Sequence, residues 1–146
     1  MDACLACDVN EGRIEPPGGP IYIDELWQAD HELTPLARGY VILKPRRHVH
    51  EIADLSESEA AALGPTLSRL HSAMRAALGT ERIYTCSFAE TVLHLHFHIV
   101  PRYQWMPGLG PDLLPRLFGG EWRCTEAEAA DAADQIRSRI TPTTET

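Results

Sequence analysis

The run His94-Leu95-His96-Phe97-His98-Ile99-Val100 constrains this chain more than any other seven residues. Successive side chains on an extended strand point to opposite faces. The alternation therefore predicts a strand over Val92–Val100. It sends Leu95, Phe97 and Ile99 towards a helix-covered core and aligns His94, His96 and His98 on the other face. The chain has seven histidines in 146 residues, so three within five positions are hard to ascribe to chance. From the residues alone, two chemistries stay open. Aligned imidazoles can ligate a transition metal, or one can act as a nucleophile whose tautomer its neighbours fix.

The rest of the chain supplies elements to surround this strand. Ser56 and Glu59 form a capping box, and Leu63, Leu67, Leu70, Met74 and Leu78 follow as one apolar stripe ending at Gly79. The Gly64-Pro65 pair conflicts with that helix and predicts a kink there, or a helix that begins near Pro65. Segments 21–24, 25–29 and 40–43 read as a small meander, and Arg82–Phe88 as a further strand. A second helix is expected from Thr125 to Ile140, capped by Thr125 with Glu128 and striped by Ala129, Ala133, Ile136 and Ile140. Residues 1–13 show no periodicity, residues 101–124 read as a long Pro- and Gly-rich connection holding Trp105, Phe118 and Trp122, and 141–146 as a frayed tail. Strands, helix, strands, connection and helix in that order predict an α+β domain with helices on one face of an antiparallel sheet. The length suits one domain over 1–146.

Composition narrows the functional classes. Thirteen basic against 21 acidic residues leave a net charge of −8, which disfavours duplex nucleic acid and anionic membrane surfaces. No apolar stretch is long enough to span a bilayer. The opening MDACLACDVN lacks the basic and apolar regions of a secretory leader, so the expected compartment is the cytoplasm. There, four cysteines are expected as thiols or metal ligands, with Cys4-x-x-Cys7 the only recognisable pair.

His94 to Val100, followed by Pro101-Arg102, resembles the signature of the histidine triad (HIT) superfamily. Pro45-Arg46-Arg47-His48 resembles the segment that ends an earlier strand in many members, and Cys4-x-x-Cys7 the amino-terminal pair of zinc-binding bacterial members. The resemblance implies the HIT fold, an antiparallel sheet of about five strands with two helices on one face. It also implies a homodimer and a nucleotide hydrolase or nucleotidyltransferase acting at an α-phosphate of dinucleoside polyphosphates or nucleoside phosphoramidates. On that resemblance His96 is the nucleophile that forms a nucleotidyl-histidine. Its Nδ1–H is held by a main-chain carbonyl, and His98 contacts the phosphate or leaving-group side. Thr91 falls where a hydroxyl often meets the scissile region, Glu32 near the acidic residue used on the ribose, and Arg102 among the cations available to the substrate.

The same resemblance implies structural zinc on Cys4, Cys7, His48 and His94, anchoring residues 1–20 to the catalytic strand. His50, two residues on, is the competing ligand. His31 and His71 carry no such argument and are expected at the surface. One departure concerns chemistry: Phe88-Ala89-Glu90 stands where members commonly have Ala-Gly-Gln, so Glu90 replaces an amide that approaches the phosphate. Glu90 is expected to position a water or a cationic leaving group. Two other readings stand beside the enzyme: a nucleotide-binding module on the same fold with weak or no catalysis, and a metal-dependent hydrolase with the triad itself as ligands.

Overall fold

The apolar half of the histidine run lies where the alternation sends it. Leu95, Phe97 and Ile99 are buried in the main core. A computed structural model describes residues 3–140; the expectation for 141–146 lies outside the described residues. Five strands form one antiparallel sheet: β1 (Tyr22–Ile23), β2 (Trp27–His31), β3 (Val41–Pro45), β4 (Arg82–Cys86) and β5 (Phe97–Arg102). Their order is β1-β2-β3-β5-β4, so β4 is an edge and β3 and β5 are central.

Two long helices cover one face, as expected. Helix α2 (Glu57–Leu78) begins at the predicted capping box. Ser56 Oγ accepts from Glu59 N at 3.1 Å, and Glu59 Oε1 accepts from Ser56 N at 2.7 Å. The helix stops at Gly79, whose left-handed φ of 66° an L side chain disfavours. It does not begin near Pro65. It runs through Pro65 for 22 residues, because Leu70 and Met74, fully buried beneath it, together with the half-buried Leu63, Leu67 and Leu78, hold the stripe on the core. Burying a Leu or Met contributes about 1.5–3 kcal/mol each, enough to offset one proline of about 3 kcal/mol. Helix α4 (Glu126–Ser138) starts at the predicted Thr125–Glu128 box and buries Ala129, Ala132, Ala133 and Ile136.

Three expectations are corrected. The amino-terminal segment is not irregular: Leu5–Asn10 forms helix α1, capped by Cys4, whose Sγ accepts from Cys7 N at 3.3 Å. Residues 101–124 are not one open connection; they contain a 3₁₀ turn at Gly110–Leu113 and helix α3 (Leu114–Phe118). Here Leu113 and Leu117 join Ala37, Tyr40, Val100 and Met106 in a second core on the opposite face of the sheet.

The third correction concerns the histidine strand itself. The ladder begins at Phe97, not Val92, and its last pair with β3 is Leu43–Phe97. Continuing it would require Pro45 on β3 to take part, and proline has no N–H to donate. The Pro45 carbonyl is already taken, by Asn10 Nδ2 at 3.1 Å and by His94 Nε2 at 2.9 Å. The segment before Phe97 is instead held by single bonds, Leu95 N to Val49 O at 2.7 Å and Ser87 Oγ to His96 O at 2.6 Å.

Candidate active site and metal centre

The face of the sheet away from α2 and α4 carries a cavity of about 250 Å³. Cross-strand register places Asp30 opposite Ile42 and Ile42 opposite His98, one row across β2, β3 and β5. At roughly 4.8 Å per strand, His98 and Asp30 stand about 10 Å apart along the cavity floor. Leu5, Ala6 and Val9 of α1 form one wall, Glu32 and Thr34 another, and Phe118 of α3 stands beside the histidines.

His96 and His98 both line this cavity, with ring centroids 4.9 Å apart. His96 Nδ1 lies 2.8 Å from the main-chain oxygen of His94. A carbonyl can only accept, so Nδ1 carries the proton and Nε2 of the neutral ring is left with its lone pair. His98 Nδ1 lies 2.5 Å from the hydroxyl of Tyr40. Burial, then the neighbouring His96, lowers the His98 pKa to about 4, so this ring is neutral at physiological pH.

His94 faces a different set of partners. Its side chain is fully buried, and Nε2–H donates to the Pro45 carbonyl, so Nδ1 presents a lone pair. That nitrogen lies 3.4 Å from Cys4 Sγ, 3.5 Å from Cys7 Sγ and 3.2 Å from His48 Nδ1, while Cys7 Sγ lies 3.4 Å from His48 Nδ1. Zinc bonds of 2.0–2.3 Å at tetrahedral angles give ligand separations of about 3.3–3.8 Å. The four residues thus fit a tetrahedral metal site, all four donor atoms lying within 4.8 Å of one another. Burial, with the adjacent Cys4 thiol, pushes the Cys7 thiol up to about 11, the resistance to ionisation that a bound cation reverses. His50 is not in this set; its Nε2 lies 3.3 Å from the outer nitrogen of His48.

The remaining predicted residues separate. Glu32 lines the cavity, its carboxylate fixed by Thr34 N at 2.8 Å, Thr34 Oγ1 at 2.6 Å and Leu36 N at 2.8 Å. Glu90 and Thr91 are exposed on the segment between β4 and β5 and have no side-chain hydrogen bond among the described residues. Arg102 points elsewhere, donating to the carbonyls of Met106 at 3.2 Å and Gly108 at 2.8 Å. Arg46 and Arg47 are likewise engaged, with Gln28 and Glu59. Lys44, the one Lys or Arg lining the cavity among the described residues, is buried against Asp30.

His31 corrects a further expectation. It is 1% exposed rather than at the surface, because both ring nitrogens are satisfied inside: Nδ1 donates to Glu32 O at 3.0 Å and Nε2 accepts from Gly39 N at 2.9 Å. His71 is half-buried and bonds Thr85 Oγ1 at 2.7 Å. Residues that sequence reasoning missed are Tyr40, the α1 wall, and Phe88 and Phe118, whose rings each lie 5.9 Å from His98. For Phe118 the signal was its place in a long aromatic connection; for Tyr40 there was none beyond its β-forming run.

Comparisons with known proteins agree with this arrangement. An uncharacterized HIT-like protein of Saccharolobus solfataricus is 30% identical over 118 residues, 77% of this chain and 84% of the relative. Two solved structures share the fold. A zinc-bound histidine triad family protein from Mycobacterium smegmatis superposes with a TM-score of 0.72 at 21% identity, over 94% of this chain and 93% of its own. A hypothetical histidine triad nucleotide-binding protein from Sulfolobus tokodaii does so with a TM-score of 0.74 at 17% identity, over 94% and 91%. The HIT domain family model matches residues 13–105, and the chain belongs to that family.

Proposed function

We propose that this protein is a nucleotide hydrolase or nucleotidyltransferase that works through a covalent intermediate on His96. The observation that carries the reading is the 2.8 Å contact of His96 Nδ1 with the His94 carbonyl, which leaves Nε2 as a lone pair at the cavity. In the first step that lone pair attacks the α-phosphorus. The N–P bond forms and the bond to the leaving atom breaks, with its electron pair departing on the leaving group. Water or another acceptor then attacks phosphorus, the N–P bond breaks, and the lone pair returns to His96.

Other assignments follow from placement. Glu32 is the candidate acceptor for ribose hydroxyls, since three donors fix it on the cavity wall and a carboxylate retains further lone pairs. Glu90 and Thr91 are candidates to meet the departing group, and Arg102 supports the turn after β5. Cys4, Cys7, His48 and His94 hold structural zinc that anchors the amino-terminal segment from residue 3 to 20, a reading supported by the zinc-bound Mycobacterium smegmatis structure. Nucleotide as ligand draws support from the likeness to the histidine triad nucleotide-binding protein of Sulfolobus tokodaii. A homodimer through α2 and the edge strand β4 is the assembly we favour, in the cytoplasm; no helix among the described residues is long and apolar enough to cross a membrane.

The test is nucleoside monophosphate release from a panel of dinucleoside polyphosphates and nucleoside phosphoramidates. Wild type should release monophosphate from at least one member and His96→Ala from none. A folded, zinc-loaded wild type that releases nothing while still binding nucleotide would identify a binding module instead.

A further inference from the structure

Two neighbouring imidazoles face the cavity, and their Nδ1 atoms meet opposite kinds of partner. His96 Nδ1 meets a carbonyl, which can only accept. His98 Nδ1 meets the Tyr40 hydroxyl at 2.5 Å, with the two rings edge to face at 5.9 Å. Tyr40 is 1% exposed, and His98 is the only hydrogen-bond partner its hydroxyl has among the described residues. If His98 Nδ1 carried a proton and gave it to the phenol oxygen, the phenolic hydrogen would be left buried and unpaired, at a cost of about 1–3 kcal/mol. The hydroxyl therefore donates, and Nδ1 accepts. Nε2 must then carry the imidazole proton. That nitrogen has no hydrogen-bond partner among the described residues, yet it is not sealed from solvent there, so it is open to the cavity His98 lines.

We propose that Tyr40 is the positioning residue for His98, its hydroxyl holding the ring as the Nε2–H tautomer so that His98 presents a neutral hydrogen-bond donor beside the phosphorus that His96 attacks. The proposal rests on the nucleotidyl-transfer reading for what the donor is used on, and on the Tyr40–His98 geometry for the tautomer. The register explains why Tyr40 can reach. It immediately precedes Val41, which pairs with Ile99, and lies on the same face of β3 as Ile42, which pairs with His98. Phe88 and Phe118 flank the other sides of the His98 ring, and their low polarity favours an uncharged imidazole. Burial also raises the Tyr40 phenol far above its ordinary value, so the proton stays on oxygen. The consequence is a division of labour set by two hydrogen bonds: a carbonyl makes His96 a lone-pair donor at Nε2, and a phenol makes His98 a proton donor at Nε2.

The experiment uses the zinc-loaded full chain. Long-range ¹H–¹⁵N spectra of wild type should show His98 with Nε2 protonated and Nδ1 as an acceptor, and Tyr40→Phe should collapse that signature to exchanging tautomers. With adenosine 5′-phosphoramidate as probe, Tyr40→Phe should lower kcat by about a hundredfold with KM within about twofold, because an acid–base group is misaligned while binding groups stay in place. A wild-type spectrum with the proton on His98 Nδ1 overturns the proposal. So does a Tyr40→Phe protein whose kcat stays within about twofold of wild type. If wild type releases no monophosphate at all, the nucleotidyl-transfer reading fails separately, and the spectra still decide the tautomer.

Discussion

The main-chain oxygen of His94 lies 2.8 Å from Nδ1 of His96, while the His94 imidazole sits between Cys4, Cys7 and His48. One residue therefore contributes its side chain to the candidate metal centre and its backbone to the orientation of the candidate nucleophile. Fixing the His94 ring restrains the carbonyl that sets the His96 tautomer. The two centres are covalently adjacent but chemically separate.

That separation predicts metal content. Cys4→Ser, Cys7→Ser and His94→Ala should each lose zinc from a protein that otherwise binds one ion per chain, whereas His96→Ala and His98→Ala should keep it. Elemental analysis of the purified variants decides the matter. Zinc lost on replacing His96 or His98 would favour a triad that ligates metal itself.

Metal and nucleotide should also be linked through α1. The helix is capped by Cys4 and includes Cys7, and its Leu5, Ala6 and Val9 form a cavity wall. Stripping zinc should weaken AMP binding by about tenfold in calorimetry, and saturating AMP should tighten zinc binding by the same factor, since coupling is reciprocal. Equal AMP affinity with and without zinc would show that α1 holds its place unaided.

Acid should destabilise the fold through His31. Its Nε2 accepts from Gly39 N and its Nδ1 donates to Glu32 O, so a second proton has no place, and burial lowers its pKa. Below about pH 6.5 the unfolded chain takes up a proton that the folded ring refuses, so stability falls as pH falls, by roughly 1.4 kcal/mol per pH unit for one such group. The loss ends once pH drops below the lowered folded value. His98, with its pKa near 4, contributes in the same direction down to about that pH. In excess zinc, wild type should lose more melting temperature between pH 7 and 5 than His31→Gln does. Parallel curves would contradict this.

Ala89 is a site of backbone strain. It has φ of 51°, the left-handed region, and is the sole non-glycine residue there among the described residues. An L side chain in that conformation costs about 1–2 kcal/mol. Ala89→Gly should therefore raise stability by about 1 kcal/mol in denaturant unfolding, offset in part by the greater freedom of glycine in the unfolded chain. A destabilised variant would mean that the methyl group packs usefully.

Much of the site was legible because period and chemistry coincide in it. The alternation at 94–100 placed Leu95, Phe97 and Ile99 in the core and His96 and His98 at the cavity, even though the hydrogen-bonded ladder starts only at Phe97. Both capping boxes were visible because each is a local pattern of three intervals. Helix α1 was not visible: six residues hold less than two turns of periodicity, and tertiary anchors such as Asn10 to the Pro45 carbonyl fix it. Tyr40 and His31 were hidden for a related reason. Their partners, His98 and the Gly39 amide, are brought to them by strand pairing or by a left-handed turn at Gly39. Arg102 shows the converse, a side chain of suitable charge that folding commits to the carbonyls of Met106 and Gly108.

The central claim, a covalent nucleotide on His96, is tested most directly by stereochemistry at phosphorus. The panel substrate that wild type cleaves best would be prepared as its P-chiral α-phosphorothioate and hydrolysed in ¹⁸O-labelled water, and the configuration of the product thiophosphate determined. Two successive in-line displacements, one by His96 and one by water, predict overall retention. Inversion would mean a single direct attack by water and would contradict the account.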